Sequence, residues 1–228
     1  MKKIIFGLFA HPDDEAFGVA GTLLKEKQAG SEIHLVVITS GEAGVNLDGH
    51  SDLGPVRLEE WYKAGDIIGV ASQHFLGYTD GKLTNESMLE IADKFENFVK
   101  EILSNYSEDL TVEFITLDTN GVTGHIDHIV ASRATCLAFY RLKPHESRLD
   151  RIRLRCLSIE EKKHLDCAWV YCEEGCSKDS IDETIDARDI QDQIISVMQA
   201  HHTQRNDCRL HLEARGDSLG IEYFRLKS

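Results

Sequence analysis

The stretch that decides the fold is KIIFGLFAHPDDE, residues 3–15. Its apolar run, residues 4–10, predicts a buried strand. A membrane span is excluded, because the run is far shorter than the roughly 20 residues that span a bilayer. It also runs directly into polar residues, without the cleavage region of a secretory signal. Proline and aspartate at such a position are typical of the first turn of a helix. We therefore expect a strand over 3–10 and a helix over 15–28.

Strand and helix patterns go on alternating through the first 140 residues. The next predicted elements are strands at 33–39, 72–77 and 112–117 and helices from Pro55, over 86–104 and over 127–142. Each parallel strand needs a crossover connection, and crossovers pack as helices on the sheet. The alternation therefore predicts an α/β fold, Rossmann-like, with three layers (α/β/α) and a mostly parallel sheet.

The C-terminal third gives a weaker pattern. It is highly charged over 145–166, and it suggests a strand at 168–172, a helix over 186–200 and an edge strand at 221–226. No linker, repeat or low-complexity segment interrupts the chain, so we expect a single domain over 1–228.

Composition narrows the class of partner. The formal net charge is −14 over 228 residues, which argues against a nucleic-acid backbone or an anionic membrane surface as the main partner. We expect no membrane span and a cytoplasmic location, and the sequence leaves a homo-oligomer open. The six cysteines show no close-paired zinc spacing and should be reduced there. Cys167, Cys172 and Cys176 leave open a structural metal site or a disulfide, against ordinary packed or surface thiols.

The first group of chemically active residues follows the first predicted strand directly. His11 is followed by Pro12 and then by three acids, Asp13, Asp14 and Glu15. A helix cap explains one carboxylate. Three together concentrate more negative charge than a cap requires, and a bound cation would neutralise it.

A second group, GHIDH at 124–128, follows another predicted strand at the start of a helix. In a parallel sheet the two groups meet at the same edge, where sites lie. Catalytic Zn²⁺ takes imidazole nitrogens and carboxylate oxygens from three protein ligands and keeps a fourth position open. His11, Asp14 and His128 would make such a set.

AHPDDE at 10–15 and GHIDH at 124–128 together resemble the paired signatures of the PIG-L/LmbE-like family of metal-dependent N-deacetylases. Members typically remove acetyl from N-acetylglucosamine-containing substrates. GEAG at 41–44, GYTDG at 77–81 and HHTQ at 201–204 agree with the family as well, although Ile126 stands where proline is usual. The resemblance is thin over 141–184, which we expect to be a variable region on the substrate side.

The resemblance implies a division of roles. His11, Asp14 and His128 would hold Zn²⁺, with Fe²⁺ or another divalent metal as alternatives, and Asp13 would be the general base toward a metal-activated water. His125 would stabilise the oxyanion as an imidazolium, oriented and charged by Asp127, although helix capping explains Asp127 equally well. The residues implied to bind substrate are Glu42, Arg57, Asp80 and His201. For Arg57 a solvated helix face is an equally good explanation. For His201 the end of a surface helix is an equally good explanation.

We therefore expect a hydrolase that removes an acetyl group from an N-acetylated amino sugar or its conjugate, with a small-molecule partner. A related small-molecule amidase with the same metal centre is the nearest alternative. A non-catalytic metal- or sugar-binding relative is the alternative from another class, and the presence of Asp13 argues against it. A dinucleotide site is disfavoured, because acids stand where a glycine-rich phosphate loop would be.

Overall fold

The apolar run near the N-terminus forms the central strand β1, Lys2–Phe9, in a computed structural model that describes residues 2–106, 109–163 and 175–228. Its side chains from Ile4 onward are buried on both faces of the sheet. β1 pairs in parallel with β2, Glu32–Thr39, on one side and with β4, Leu110–Leu117, on the other. This position explains the unbroken apolar run, because a strand covered on both faces has no solvent side.

The remaining strands are β3 (Ser72–Tyr78), β5 (Leu149–Cys156), β6 (Glu183–Asp186) and β7 (Ile221–Lys227). The helices are α1 (Asp14–Gly18), α2 (Ala20–Gln28), α3 (Leu53–Ile68), α4 (Asn85–Leu103), α5 (Gly121–Gly124), α6 (Ile126–Leu142), α7 (Ile159–Lys163), α8 (Gln191–Ala200) and α9 (Arg205–Arg215). No helix among the described residues is long and apolar enough to cross a lipid bilayer.

The seven strands form one sheet in the order β3-β2-β1-β4-β5-β7-β6. Strands β1 to β5 are parallel, and β7 runs antiparallel to both of its neighbours. Helices α4 and α6 pack on one face, and α1, α2, α3 and α8 pack on the other. The Rossmann-like three-layer fold is confirmed.

Strand order reverses between β1 and β4, since the chain winds outward from β1 in one direction and from β4 in the other. Open α/β sheets bind ligands at this switch point, outside the carboxyl ends of the strands. The acidic motif leaves β1 there, and the second histidine motif leaves β4 there. The topology therefore brings together two motifs more than a hundred residues apart.

Strand β5, with the sequence LDRIRLRC, corrects the view that 141–184 is only a variable substrate-side region. Because of its arginines, this strand resembles an exposed segment in the sequence. The Arg153 side chain is only 4% exposed and contacts Glu26 at 2.6 Å, while the Arg155 side chain, 1% exposed, contacts Glu161 at 2.6 Å. Buried charges are tolerated when paired in this way, so a strand with arginine at alternate positions lies inside the sheet.

The structure differs from two other expectations, one about the position of a strand and one about the extent of a helix. β7 is an interior strand and not the edge, because β6 pairs along its outer side. The predicted helix 15–28 is two helices separated at Val19. The carboxylate of Glu222, on β7, accepts hydrogen bonds from the backbone N–H groups of Gly21 and Thr22 and so caps the start of α2.

The predicted strand at 168–172, Cys167 and Cys172 lie outside the described residues.

Candidate metal centre

Donor atoms from His11, Asp14 and His128 converge at the switch point. His11 Nδ1 lies 3.1 Å from His128 Nε2, and His128 Nε2 lies 3.1 Å from Asp14 Oδ1. His11 Nδ1 lies 3.9 Å from Asp14 Oδ2, the second oxygen of the same carboxylate. The structure thus brings together the three residues that the sequence predicts as ligands.

Local structure fixes each donor. Asp14 Oδ2 accepts the backbone N–H groups of Ala10 and His11, each at 3.0 Å, so the turn after β1 aims the other oxygen at the centre. His128 stands in the first turn of α6, and its Nδ1 contacts the carbonyl of Gly121 at 3.1 Å. That contact leaves Nε2 as the nitrogen facing His11. Ile126 opens α6 and is exposed, so the departure from proline leaves the ligand spacing intact.

The donor set fits a divalent ion. His11 Nδ1 and His128 Nε2 lie 3.1 Å apart, close to the separation of about 3.3–3.4 Å at which a tetrahedral Zn²⁺ with bonds of about 2.0–2.1 Å would hold two ligand atoms. Burial works against the ionised form of Asp14, but His128 and His11 outweigh it and hold the pKa of this carboxyl below its usual range. Asp14 is therefore an anionic ligand at neutral pH.

The second nitrogen of His11 faces two carboxylates. Nε2 lies 3.0 Å from Asp80 Oδ1 and 3.5 Å from Asp127 Oδ2, with neither oxygen in line with the N–H bond. Burial disfavours a charged ring, but Asp127, Asp80 and Asp14 together raise the pKa of His11 to about 10. The carboxylates around His11 therefore stabilise a positive charge at this position, and a bound metal ion would provide one.

Asp13 occupies a strained position beside the ligands. Its φ of 111° lies in the left-handed region that non-glycine residues rarely adopt. Such strain persists only where surrounding contacts impose it, and it is common at active sites. Burial raises the pKa of Asp13 to about 6, although Arg57 pulls it in the opposite direction. A carboxyl with a pKa near neutrality is suited to general-base catalysis.

Arg57, on α3, imposes that position. Its Nη2 donates to Asp13 Oδ2 at 2.7 Å and to the carbonyl of Pro12 at 2.6 Å, and Nη1 donates to the carbonyl of Gly41 at 2.8 Å. A Cβ at Gly41 would lie 2.4 Å from Nη1, so only glycine leaves room for the guanidinium. Arg57 is 4% exposed, which makes it a support for the base and rules out the solvated helix face.

His125 and Asp127 adopt an arrangement that the sequence did not suggest. His125 Nδ1 accepts the backbone N–H of Asp127 at 3.2 Å and so caps α6. Asp127 instead directs its carboxylate to the N–H groups of Gly81, at 2.7 Å, and Leu83, at 3.3 Å. Burial, with His128 and His11 nearby, lowers the pKa of His125 to about 4. The ring is therefore neutral with its proton on Nε2, and the expected imidazolium is not the form that this geometry favours.

Glu42 and Asp80 are joined to each other. Glu42 Oε1 accepts the N–H of Asp80 at 2.8 Å, and Glu42 Oε2 accepts the hydroxyl of Ser40 at 2.8 Å. Asp80 Oδ2 accepts the N–H of Ala43 at 3.1 Å. These bonds tie the loops after β2 and β3 together beside His11.

His201 is buried and pairs with a buried carboxylate. It is 1% exposed, and its Nε2 lies 2.9 Å from Glu15 Oε1, a carboxylate whose side chain is also fully buried. The other oxygen of Glu15 accepts the N–H of Asp13 at 3.3 Å. Burial is outweighed by Glu15 and Asp13, which raise the pKa of His201. A side chain this buried has no surface for the direct contact with substrate that the sequence predicted. His201 instead supports the acidic motif through Glu15.

Glu60 and Glu15, for which the sequence predicts no separate role, complete this support. Glu60, on α3, accepts the backbone N–H of Thr203 at 2.9 Å and its hydroxyl at 2.7 Å. Glu15 pairs with His201 in the same tail segment. The HHTQ segment was visible in the sequence, but its acidic partners lie more than 140 residues away and could not be identified without the fold.

Comparison with known proteins gives a consistent result. The family model described as GlcNAc-PI de-N-acetylase (PIG-L) matches residues 7–139, more than half of the chain. A relative in Bacillus subtilis (strain 168), the probable N-acetyl-alpha-D-glucosaminyl L-malate deacetylase 2, is 27% identical over 220 residues. These cover 94% of this chain and 89% of the relative.

Solved structures share the fold. N,N'-diacetylchitobiose deacetylase from Pyrococcus horikoshii superposes with a TM-score of 0.67 at 18% identity, over 99% of this chain and 83% of that one. The 4-carboxy-2-hydroxymuconate hydratase from Pseudomonas putida gives a TM-score of 0.66 at 16% identity, over 100% of this chain and 97% of that one. Because the second of these proteins is named for a hydration, the fold by itself does not select the reaction.

Proposed function

The chain belongs to the PIG-L (GlcNAc-PI de-N-acetylase) family, and we propose that it is a metal-dependent hydrolase that removes the acetyl group from an N-acetylated amino sugar. The observation that carries this proposal is the carboxylate of Asp13, which stands next in sequence to the ligand Asp14 and is held by Arg57. A binding module has no need of a carboxylate held in a strained backbone position beside its metal.

We propose Zn²⁺ as the ion, because two imidazoles and one carboxylate are the ligand types of catalytic zinc. Fe²⁺ and other divalent metals also accept these donors. When bound, such an ion lowers the pKa of a water to about 7 and polarises an amide carbonyl.

Asp13 carries the proton in this account. Its Oδ2 is held by Arg57, so the carboxylate keeps one orientation while it accepts the proton of the attacking water. The same carboxyl then delivers the proton to the nitrogen of the departing amine. No serine or cysteine nucleophile is required, because water attacks the carbonyl.

His125 would stabilise the negative charge that develops on the carbonyl oxygen. With Nδ1 accepting from the backbone N–H of Asp127, the ring carries its proton on Nε2 and would act as a neutral hydrogen-bond donor. Asp127 contributes by fixing the 81–83 segment against the start of α6. His125 and Asp127 would thus both act at the site, His125 as a neutral donor and Asp127 as a structural support, and not as an imidazolium and the residue that charges it.

The substrate class follows from the relatives. The Bacillus subtilis relative is named for an N-acetylglucosaminyl malate, and the Pyrococcus horikoshii neighbour for a chitobiose. We propose an N-acetylglucosamine-type sugar, alone or conjugated, as the small-molecule substrate. Glu42, whose side chain is bonded to Asp80 beside His11, stays a proposed sugar contact, and a cytoplasmic location stays a prediction.

Release of free amine from N-acetylglucosamine, N,N'-diacetylchitobiose and N-acetylglucosaminyl conjugates tests the proposal. We expect turnover of at least one of these by the Zn²⁺-loaded protein and its loss in Asp13→Asn. An N-acetyl amino acid serves as the control for the alternative of a general amidase. A protein that binds these sugars and Zn²⁺ but releases no amine from any of them would be a binding module, contrary to the proposal.

A further inference from the structure

We propose that Asp80 is a positioning residue of the metal centre, which holds His11 with its proton on Nε2 so that Nδ1 faces the ion. The inference rests on the proposed metal centre and adds to it a determinant of metal affinity. It differs from the contact with sugar that the sequence suggests for Asp80, because it acts in the absence of substrate.

The two nitrogens of His11 face unlike surroundings. Nδ1 faces the donor atoms of His128 and Asp14, at 3.1 and 3.9 Å. Nε2 faces two carboxylates, with Asp80 Oδ1 at 3.0 Å and Asp127 Oδ2 at 3.5 Å. An N–H is stable opposite a carboxylate, and a lone pair there is repelled by it. With Nδ1 bound to the ion, the remaining proton of the ring would therefore lie on Nε2, opposite these carboxylates.

Asp80 is better placed for this work than Asp127. Asp127 lies farther from Nε2, at 3.5 Å, and its two oxygens already accept the N–H groups of Gly81 and Leu83. Asp80 uses Oδ2 for the N–H of Ala43 and presents Oδ1 to the ring. Ligating histidines commonly donate their second N–H to a carboxylate, which fixes the ring and raises its basicity as a ligand. Here Oδ1 lies 3.0 Å from Nε2 but off the line of the N–H bond, so the contact is mainly electrostatic.

A relay of bonds holds Asp80 itself. The backbone N–H of Asp80 is bound by Glu42, whose other oxygen accepts the hydroxyl of Ser40. Asp80 is only 9% exposed. The carboxylate is therefore fixed from the loops after β2 and β3, and it supports a ligand from the loop after β1.

Zinc affinity of metal-free Asp80→Asn, measured by competition with a chromophoric chelator, tests the inference without turnover. Loss of the carboxylate should raise the Kd for Zn²⁺ about 10- to 100-fold, the usual effect of removing such a support. Glu42→Gln should shift the Kd in the same direction by less. Asp66→Asn, at an exposed position on α3, is the matched control and should leave the Kd unchanged.

A second measurement uses the unaltered protein. Nitrogen-15 NMR of the Zn²⁺-loaded chain should show His11 protonated on Nε2 and coordinated through Nδ1. Coordination through Nε2 overturns the inference. Wild-type zinc affinity in Asp80→Asn, with only KM raised, overturns it too and returns Asp80 to a sugar contact.

Two further outcomes distinguish failure of this inference from failure of the proposed function. If Asp80→Asn abolishes zinc binding while Asp14→Asn still binds, the ion lies on the Asp80 and Asp127 side of His11 and the inference is overturned. If the wild-type chain binds no divalent ion at all, both the proposed function and this inference fail.

Discussion

The guanidinium of Arg57 lies 2.7 Å from Asp13 Oδ2 and donates from the same nitrogen to the carbonyl of Pro12. One side chain on α3 therefore fixes both the carboxylate and the backbone turn that carries it. Because Asp13 has a φ of 111°, the turn would relax toward ordinary backbone geometry without this contact. The position of the proposed base thus depends on a residue outside its own motif.

Arg57→Lys should lower kcat about 10²-fold, since a single ammonium cannot reproduce the three-way contact and small displacements of a catalytic group have effects of that size. Steady-state kinetics on the best sugar substrate measures the loss. Arg209→Lys, at an exposed ion pair on α9, is the control and should leave kcat unchanged. An unchanged kcat with a raised KM in Arg57→Lys would mean that Arg57 contacts substrate instead.

Asp13→Asn should abolish most turnover while zinc stays bound. The amide keeps the size of the side chain but cannot accept the proton of the attacking water, and loss of a general base typically costs about 10²–10⁴-fold. Zinc content and amine release are measured on the same preparation. A variant with wild-type turnover would remove Asp13 from the mechanism.

His125→Ala should keep the metal and lower kcat about 10²–10³-fold, the usual effect of removing one oxyanion donor. One ring nitrogen from each of His11, His125 and His128 lies within 4.8 Å of the other two, so His125 could also act as a ligand. Metal analysis separates the roles. A zinc-free His125→Ala protein would assign His125 to the ligand set.

His201→Leu should destabilise the protein by about 3–5 kcal/mol, because it leaves the carboxylate of Glu15 buried without its partner. The effect depends on pH in a fixed direction. The pKa of His201 is raised by folding, so the stability from its charged form is complete below about pH 6.5, the unfolded value, and is lost as pH rises through the folded pKa.

Chemical denaturation at a series of pH values measures this difference in the free energy of unfolding between wild type and His201→Leu. The difference should be largest at pH 6 and smaller at pH 9. His202→Leu, at the neighbouring exposed position, is the control. A difference that grows as pH rises would show that His201 is neutral in the folded protein.

The part of the site nearest β1 and β4 could be predicted from the sequence because two local signals coincide. Each motif follows an apolar strand and opens a helix, and parallel strands place both at one edge. His11, Asp14 and His128 therefore meet as expected. The Rossmann-like fold follows from the same alternation of elements.

The rest depends on pairings that the sequence does not display. Arg153 and Arg155 suggest a surface, and only their acidic partners on other elements allow β5 to be buried. The same holds for Glu15 with His201, where a histidine expected to touch substrate instead pairs inside the core. The tautomer of His125 is set by a backbone N–H, which has no signature in the side-chain sequence.

Zinc titration of chelator-treated protein, followed by amine release from the best N-acetylglucosamine substrate, tests the central claim most directly. The account predicts no turnover without metal, a linear rise with added Zn²⁺ and a plateau at one equivalent, and no rise in His128→Ala. Turnover by the metal-free protein equal to that of the loaded protein would contradict it.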